Sequence, residues 1–135
     1  MGHEVLLIFA DPVHPEEFLD LVEELGGVRR PDRWTNGRLS RGDRHVWVTV
    51  APDSAPEFEP EDLVEYEKKL GAPMLALVEL SISSTEGSDA VAMELIEAAA
   101  RRWRTVVDND HGEVFSVDEL RGIPPERLPF AGRRR

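Results

Sequence analysis

The sequence predicts an α+β fold, a mixed β-sheet packed against about three helices. A ferredoxin-like sandwich is the specific arrangement expected and a doubly wound α/β sheet is the alternative. Three observations carry this expectation. Strand-like and helix-like segments follow one another in the order strand, helix, hairpin, helix, strand, helix, strand. The 135 residues suit a single domain, and 41% hydrophobic composition is enough for one core. Cysteine is absent, which leaves packing to hold the fold and removes disulfides, thiol nucleophiles and cysteine-based metal sites.

Val5-Leu6-Leu7-Ile8-Phe9, stopped by Asp11-Pro12, is a continuous β-favouring run, as expected of a central strand covered on both faces. Pro15 suits a first helical position, and Phe18, Leu21, Val22 and Leu25 recur at helical spacing before Gly26-Gly27. The first helix is therefore about 15 to 25, with Glu16, Glu17, Asp20, Glu23 and Glu24 outside. Arg38 to Val50 alternates, placing Val46, Val48 and Val50 on one face and His45, Trp47 and Thr49 on the other, with Arg41-Gly42-Asp43 as the turn of a hairpin. Ordinary turn chemistry accounts for that Arg-Gly-Asp tripeptide.

Ala51 to Pro60 holds three prolines and reads as an extended loop in which Phe58 is either a partner anchor or a staple onto the next helix. That helix runs from Pro60 to Leu70 with Glu61, Asp62 and Glu65 outside and Gly71 as its stop. Met74 to Ser83 is the next strand. Ser88 is placed to cap a helix from about Asp89 to Trp103, on which Glu97 and Arg101 are spaced to pair. Thr105 to Val107 completes a strand–helix–strand unit with parallel strands, and Glu113 to Val117 is a short segment returning after a turn. Ser116 and Glu119 have capping-box spacing. The domain is read as 1–120, and 121–135 as a basic, Pro- and Arg-rich mobile tail with five arginines and one acid.

No local motif announces catalysis. A phosphate-binding Gly-rich loop, a dinucleotide fingerprint, a zinc-protease motif and a nucleophile elbow are all missing from the sequence. His3, His14, His45 and His111 include no pair at i, i+3 or i, i+4, so no helical metal site is expected and no cofactor is implied. Counting from Asp108 imitates a calcium loop, yet Gly112 and Glu113 occupy the positions that need an oxygen ligand and a glycine. Asp108-Asn109-Asp110-His111-Gly112-Glu113 reads instead as a hairpin tip. The catalytic candidates are His45 and His111 with Asp108, Asp110 or Glu113, since a carboxylate-oriented histidine is the common general base. Arg38, Arg41 and Arg44 lie in a segment of local positive charge and are the candidate anion-binding set.

Formal net charge is −11, with 27 acidic against 16 basic residues. Such a chain repels phosphates and anionic lipid, so nucleic acid and membrane are poor partners and a cationic protein is a good one. The basic residues are 14 Arg and two Lys, a skew expected of a GC-rich genome. With no signal-like segment, a cytoplasmic location is expected. In size, charge and α+β pattern the chain is similar to the small, acidic, cysteine-free immunity or antidote proteins with which bacteria block basic toxins. The acidic faces of the two helices, which folding alone does not explain, point to a non-enzymatic protein-binding module, with Glu16, Glu17, Asp20, Glu23, Glu24, Phe58, Glu61, Asp62 and Glu65 as its docking residues. A small ligand-binding domain or enzyme with a His/carboxylate pocket and an Arg-lined anion site is the alternative. Docking of the arginine segment of one copy on the acidic helices of another is a third reading.

Overall fold

The computed structural model describes residues 3–50 and 59–131, so Phe58 and the last arginines lie outside the described residues. Seven strands form one sheet: β1 (His3–Phe9), β2 (Val28–Arg30), β3 (Arg33–Arg41), β4 (Arg44–Val50), β5 (Ala76–Ile82), β6 (Thr105–Asp108) and β7 (Val114–Ser116). Helices α1 (Pro15–Glu24), α2 (Pro60–Leu70), α3 (Ser88–Ala100) and α4 (Val117–Arg121) complete the fold. The strand order is β2-β3-β4-β5-β1-β6-β7, and every neighbouring pair is antiparallel.

The class is α+β, as the sequence predicts, with two corrections. The sheet is antiparallel rather than mixed, which removes the doubly wound alternative. The strands flanking α3 are also not bonded neighbours: β1 sits between β5 and β6, antiparallel to both, so α3 connects two strands of like direction across a third. The sheet has seven strands rather than the four of a minimal ferredoxin-like sandwich, and it carries a helix on its second face.

Period-two patterning explains how the faces divide. Val5, Leu7 and Phe9 of β1, Val46 and Val48 of β4, and Val78, Leu80 and Ile82 of β5 point to the first face. There α1 and α3 add Phe18, Leu19, Val22, Leu95, Ile96 and Ala99. Phe9, Phe18 and Trp103 meet edge to face and stacked, with ring centroids 5.7–6.2 Å apart. α1 lies so close that a Cβ on Gly37 would stand 2.8 Å from a Leu19 methyl and 2.9 Å from the Val28 carbonyl oxygen, which explains a glycine inside β3. On the second face Tyr66 and Leu70 of α2 cover Ile8, Leu77 and Val106.

Smaller details differ from the sequence expectations. Gly87, in the left-handed region at φ +90°, occupies the position before α3, while Ser88 is its first residue and bonds Ser83 instead of capping. Glu97 accepts from Arg121 at 2.8 Å rather than pairing with Arg101. Residues 121–131 pack on the domain: two 3-10 turns, 125–127 and 129–131, bury Leu128 and Phe130 in the main core. The Ser116–Glu119 capping box forms as its spacing predicts.

Candidate functional site

Of the proposed catalytic residues, Asp108, Asp110, His111 and Glu113 share one turn, and His45 lies apart from them. His45 lies on β4 and Asp108 on β6, with β5 and β1 between them in the sheet. His45 Nδ1 is 2.7 Å from Ser40 Oγ, and its backbone N–H donates to Ser83 Oγ at 3.0 Å. His111 is exposed in the β6–β7 turn, where its backbone N–H donates to Asn109 Oδ1. Asp108 accepts from the Asp110 backbone N–H, and fully buried Asn109 gathers four bonds: from the His111 and Glu113 N–H groups, to the Glu113 carboxylate and to the Pro129 carbonyl. The segment is the hairpin tip its composition predicts, with Asp110 at φ +62°. Among the described residues no group of three or more His, Asp or Glu is placed to hold a metal ion.

The three candidate anion-binding arginines also diverge. Arg38 pairs in register with Trp47 on the second face. Arg41 turns to the first, where it donates to the Leu25 carbonyl at 2.8 Å and to Glu94 at 3.1 Å, closing the end of α1. Arg44 crosses the β5–α3 loop and donates to the Glu86 carbonyl at 3.0 Å. Strand alternation separates Arg38 from the other two, so no single anion site forms.

Three of the five acids on the outer face of α1, Asp20, Glu23 and Glu24, pair with two arginines of the fold. Arg29 of β2 bonds Asp20 and, at 3.0 Å, Glu23, which raises the guanidinium's already high pKa. Arg102, beyond α3, grips both oxygens of Glu24 at 2.6 and 2.7 Å. Glu17 accepts from the His14 N–H at the start of the helix. The acids of α2 contrast with these: Glu59, Glu61, Asp62 and Glu65 are exposed and make no ion pair with any described residue.

Beside α2 the second face of the sheet is uncovered among the described residues from β5 to β3. Register aligns Glu4, Ser81, Trp47 and Arg38 in one row, and Leu6, Glu79, Thr49 and Asn36 in the next. Glu79 is half-buried and shares a hydrogen bond with Glu4. Loss of hydration and then the Glu4 charge push its carboxyl above the ordinary range. Trp47 is 40% exposed, its ring centroid 5.4 Å from that of His45. Sequence reasoning missed the Glu4–Glu79 pair, although each is an acid inside an otherwise apolar or small-residue strand run.

A cleft of about 530 Å³ lies at the β5–α3 loop and is lined by His3, Arg44, Ser83, Ser88, Asp89 and Glu126 among others. His3 Nε2 and Asp89 Oδ1 stand 2.7 Å apart across its wall. No local spacing foretells this pair, because the two residues are 86 positions apart in the chain. Among the described residues no helix is long and apolar enough to cross a membrane.

Comparison with protein-family models, with curated proteins and with solved structures finds no match to this chain.

Proposed function

We propose that the protein is a non-catalytic module that binds a cationic protein, and that it does so through α2 and the adjoining second sheet face rather than through α1. The observation that carries this reading is the contrast in pairing. Asp20, Glu23 and Glu24 already hold arginines of the same chain, whereas Glu59, Glu61, Asp62 and Glu65 have no cation among the described residues. Carboxylates without an ion pair among the described residues, beside the exposed Trp47, steer a basic partner and offer it ion pairs that become desolvated on contact. An immunity- or antidote-type inhibitor of a basic toxin, in a bacterial cytoplasm, is the specific role we favour.

The test is capture from lysate of the source organism at low salt with three baits: wild type, Glu61→Gln/Asp62→Asn/Glu65→Gln, and Glu16→Gln/Asp20→Asn/Glu23→Gln. The expected result is one basic protein, eluted by salt and lost with the α2 variant alone. Equal retention by all three baits contradicts the reading. The cleft at His3 and Asp89 favours a second reading, a domain for a small polar ligand. Metabolite screening of wild type against His3→Ala tests it, and a ligand shift lost in the variant is the result it requires.

A further inference from the structure

We infer that the second sheet face recognises an arginine side chain of the cationic partner, laid over the Trp47 ring with its guanidinium directed at Glu79 and Glu4. This rests on the cationic-partner reading and adds to it the chemistry of one contact. Three features of the face converge on that side chain.

The first is an aromatic surface left open. Trp47 is the large hydrophobic residue that β4 presents away from the core, and at 40% exposure its ring is available to a planar cation. His45 lies against it along the strand, with Nδ1 held near Ser40 Oγ. Arg38, directly across in register, makes no ion pair with any described residue.

The second is the position of the carboxylates. Ser81 is the register partner of Trp47, and Glu79 is two residues from Ser81 on the same face, a diagonal neighbour of Trp47 at about 7–8 Å between backbones. Glu4 pairs with Ser81 from the other side, two strands from Trp47, or about 10 Å at the usual strand spacing. An arginine resting on the indole therefore spans the distance to both acids, and its forked donors match a carboxylate pair better than the point charge of lysine does.

The third is an electrostatic deficit. Glu79 is half-buried with Glu4 beside it and Asp110 within range, and no described cation pairs with it; loss of hydration first, and then the Glu4 charge, raise its proton affinity. An incoming guanidinium relieves this repulsion and favours the ionised carboxylate, so protonation of Glu79 weakens binding.

Calorimetric titration of the full chain with two nonapeptides of equal charge, one built on arginine and one on lysine, tests the inference. Wild type is expected to bind the arginine peptide about fivefold more tightly than the lysine peptide. Trp47→Leu abolishes that preference while leaving lysine-peptide affinity within about twofold, and Trp47→Phe retains most of it. Glu79→Gln weakens binding of the arginine peptide. Thermal midpoints of the variants check folding. Equal affinity of wild type for the two peptides, or a preference that survives Trp47→Leu, overturns the inference and leaves the cationic-partner reading standing. Binding of neither peptide overturns both.

Discussion

The hydroxyl of Tyr66 on α2 donates a hydrogen bond to the carboxylate of Asp108 at the end of β6. Tyr66 is 1% exposed, so this bond fastens the helix of the second face to the strand that leads into the 108–113 turn. Burial first, and then the Asp108 bond and charge, push the phenol well above its ordinary range. A group whose folded-state pKa is raised contributes stability that is complete below its unfolded value, about 10, and that is lost as pH rises toward the folded value. Because Tyr66 is the single tyrosine, absorbance near 295 nm reads it alone. No phenolate is expected until the protein unfolds at alkaline pH. A free titration near pH 10 in the folded state would mean that the bond is not made.

Replacing Tyr66 by Phe deletes the donor and leaves Asp108 facing apolar surface. A loss of about 1–2 kcal/mol in urea unfolding is expected. An unchanged midpoint would show that water replaces the hydroxyl at no cost.

Glu79→Gln has the opposite sign. Its carboxyl pKa is raised by burial and by Glu4, so the folded state favours the protonated form. The resulting stability is present below the ordinary Glu value of about 4.3 and is lost as pH rises above it. The neutral amide is therefore expected to raise the urea midpoint at pH 7 by a small amount, below about 1 kcal/mol given the partial exposure, and to change little at pH 4. Wild type and variant compared at those two pH values check the sign.

Gly37→Ala forces a Cβ to within 3 Å of a Leu19 methyl and the Val28 carbonyl oxygen, contacts that α1 and β2 must move to relieve. A cost of about 1–3 kcal/mol is expected from denaturant unfolding. A neutral result would show that α1 shifts freely on the sheet.

Phe130 is fully buried among residues of the main core. Phe130→Ala is expected to cost about 3–5 kcal/mol, and truncation after Gly122 at least as much. Unfolding midpoints read both. Little change would restore the loose tail that composition alone suggests.

Elements with a local cause were legible in the sequence. The run Val5–Phe9, the Pro15 start of α1, the alternation through Val46, Val48 and Val50, and the Ser116–Glu119 box each rest on neighbours within a few residues. β2 was not legible, because three residues between Gly27 and Pro31 give no period to read. Strand order was hidden for a different reason: the placement of β1 between β5 and β6 depends on which apolar faces the helices cover after collapse. The same holds for the site. Acidic residues on α1 and α2 look alike in sequence, and only the arrival of Arg29 from β2 and of Arg102 from beyond α3 distinguishes them. Phe130 was concealed by the arginines and prolines around it.

In the proposed function α2 and the second sheet face receive cations and α1 does not. Backbone amide chemical shifts of the isotopically labelled full chain, titrated with a short polyarginine peptide at low salt, test this most directly. The expected shifts are confined to Glu4, Glu59–Glu65, Glu79, Ser81 and Trp47, reversed by salt, with Glu16–Glu24 unmoved. Shifts centred on Glu16–Glu24, or around the His3 and Asp89 cleft, would contradict the proposed function.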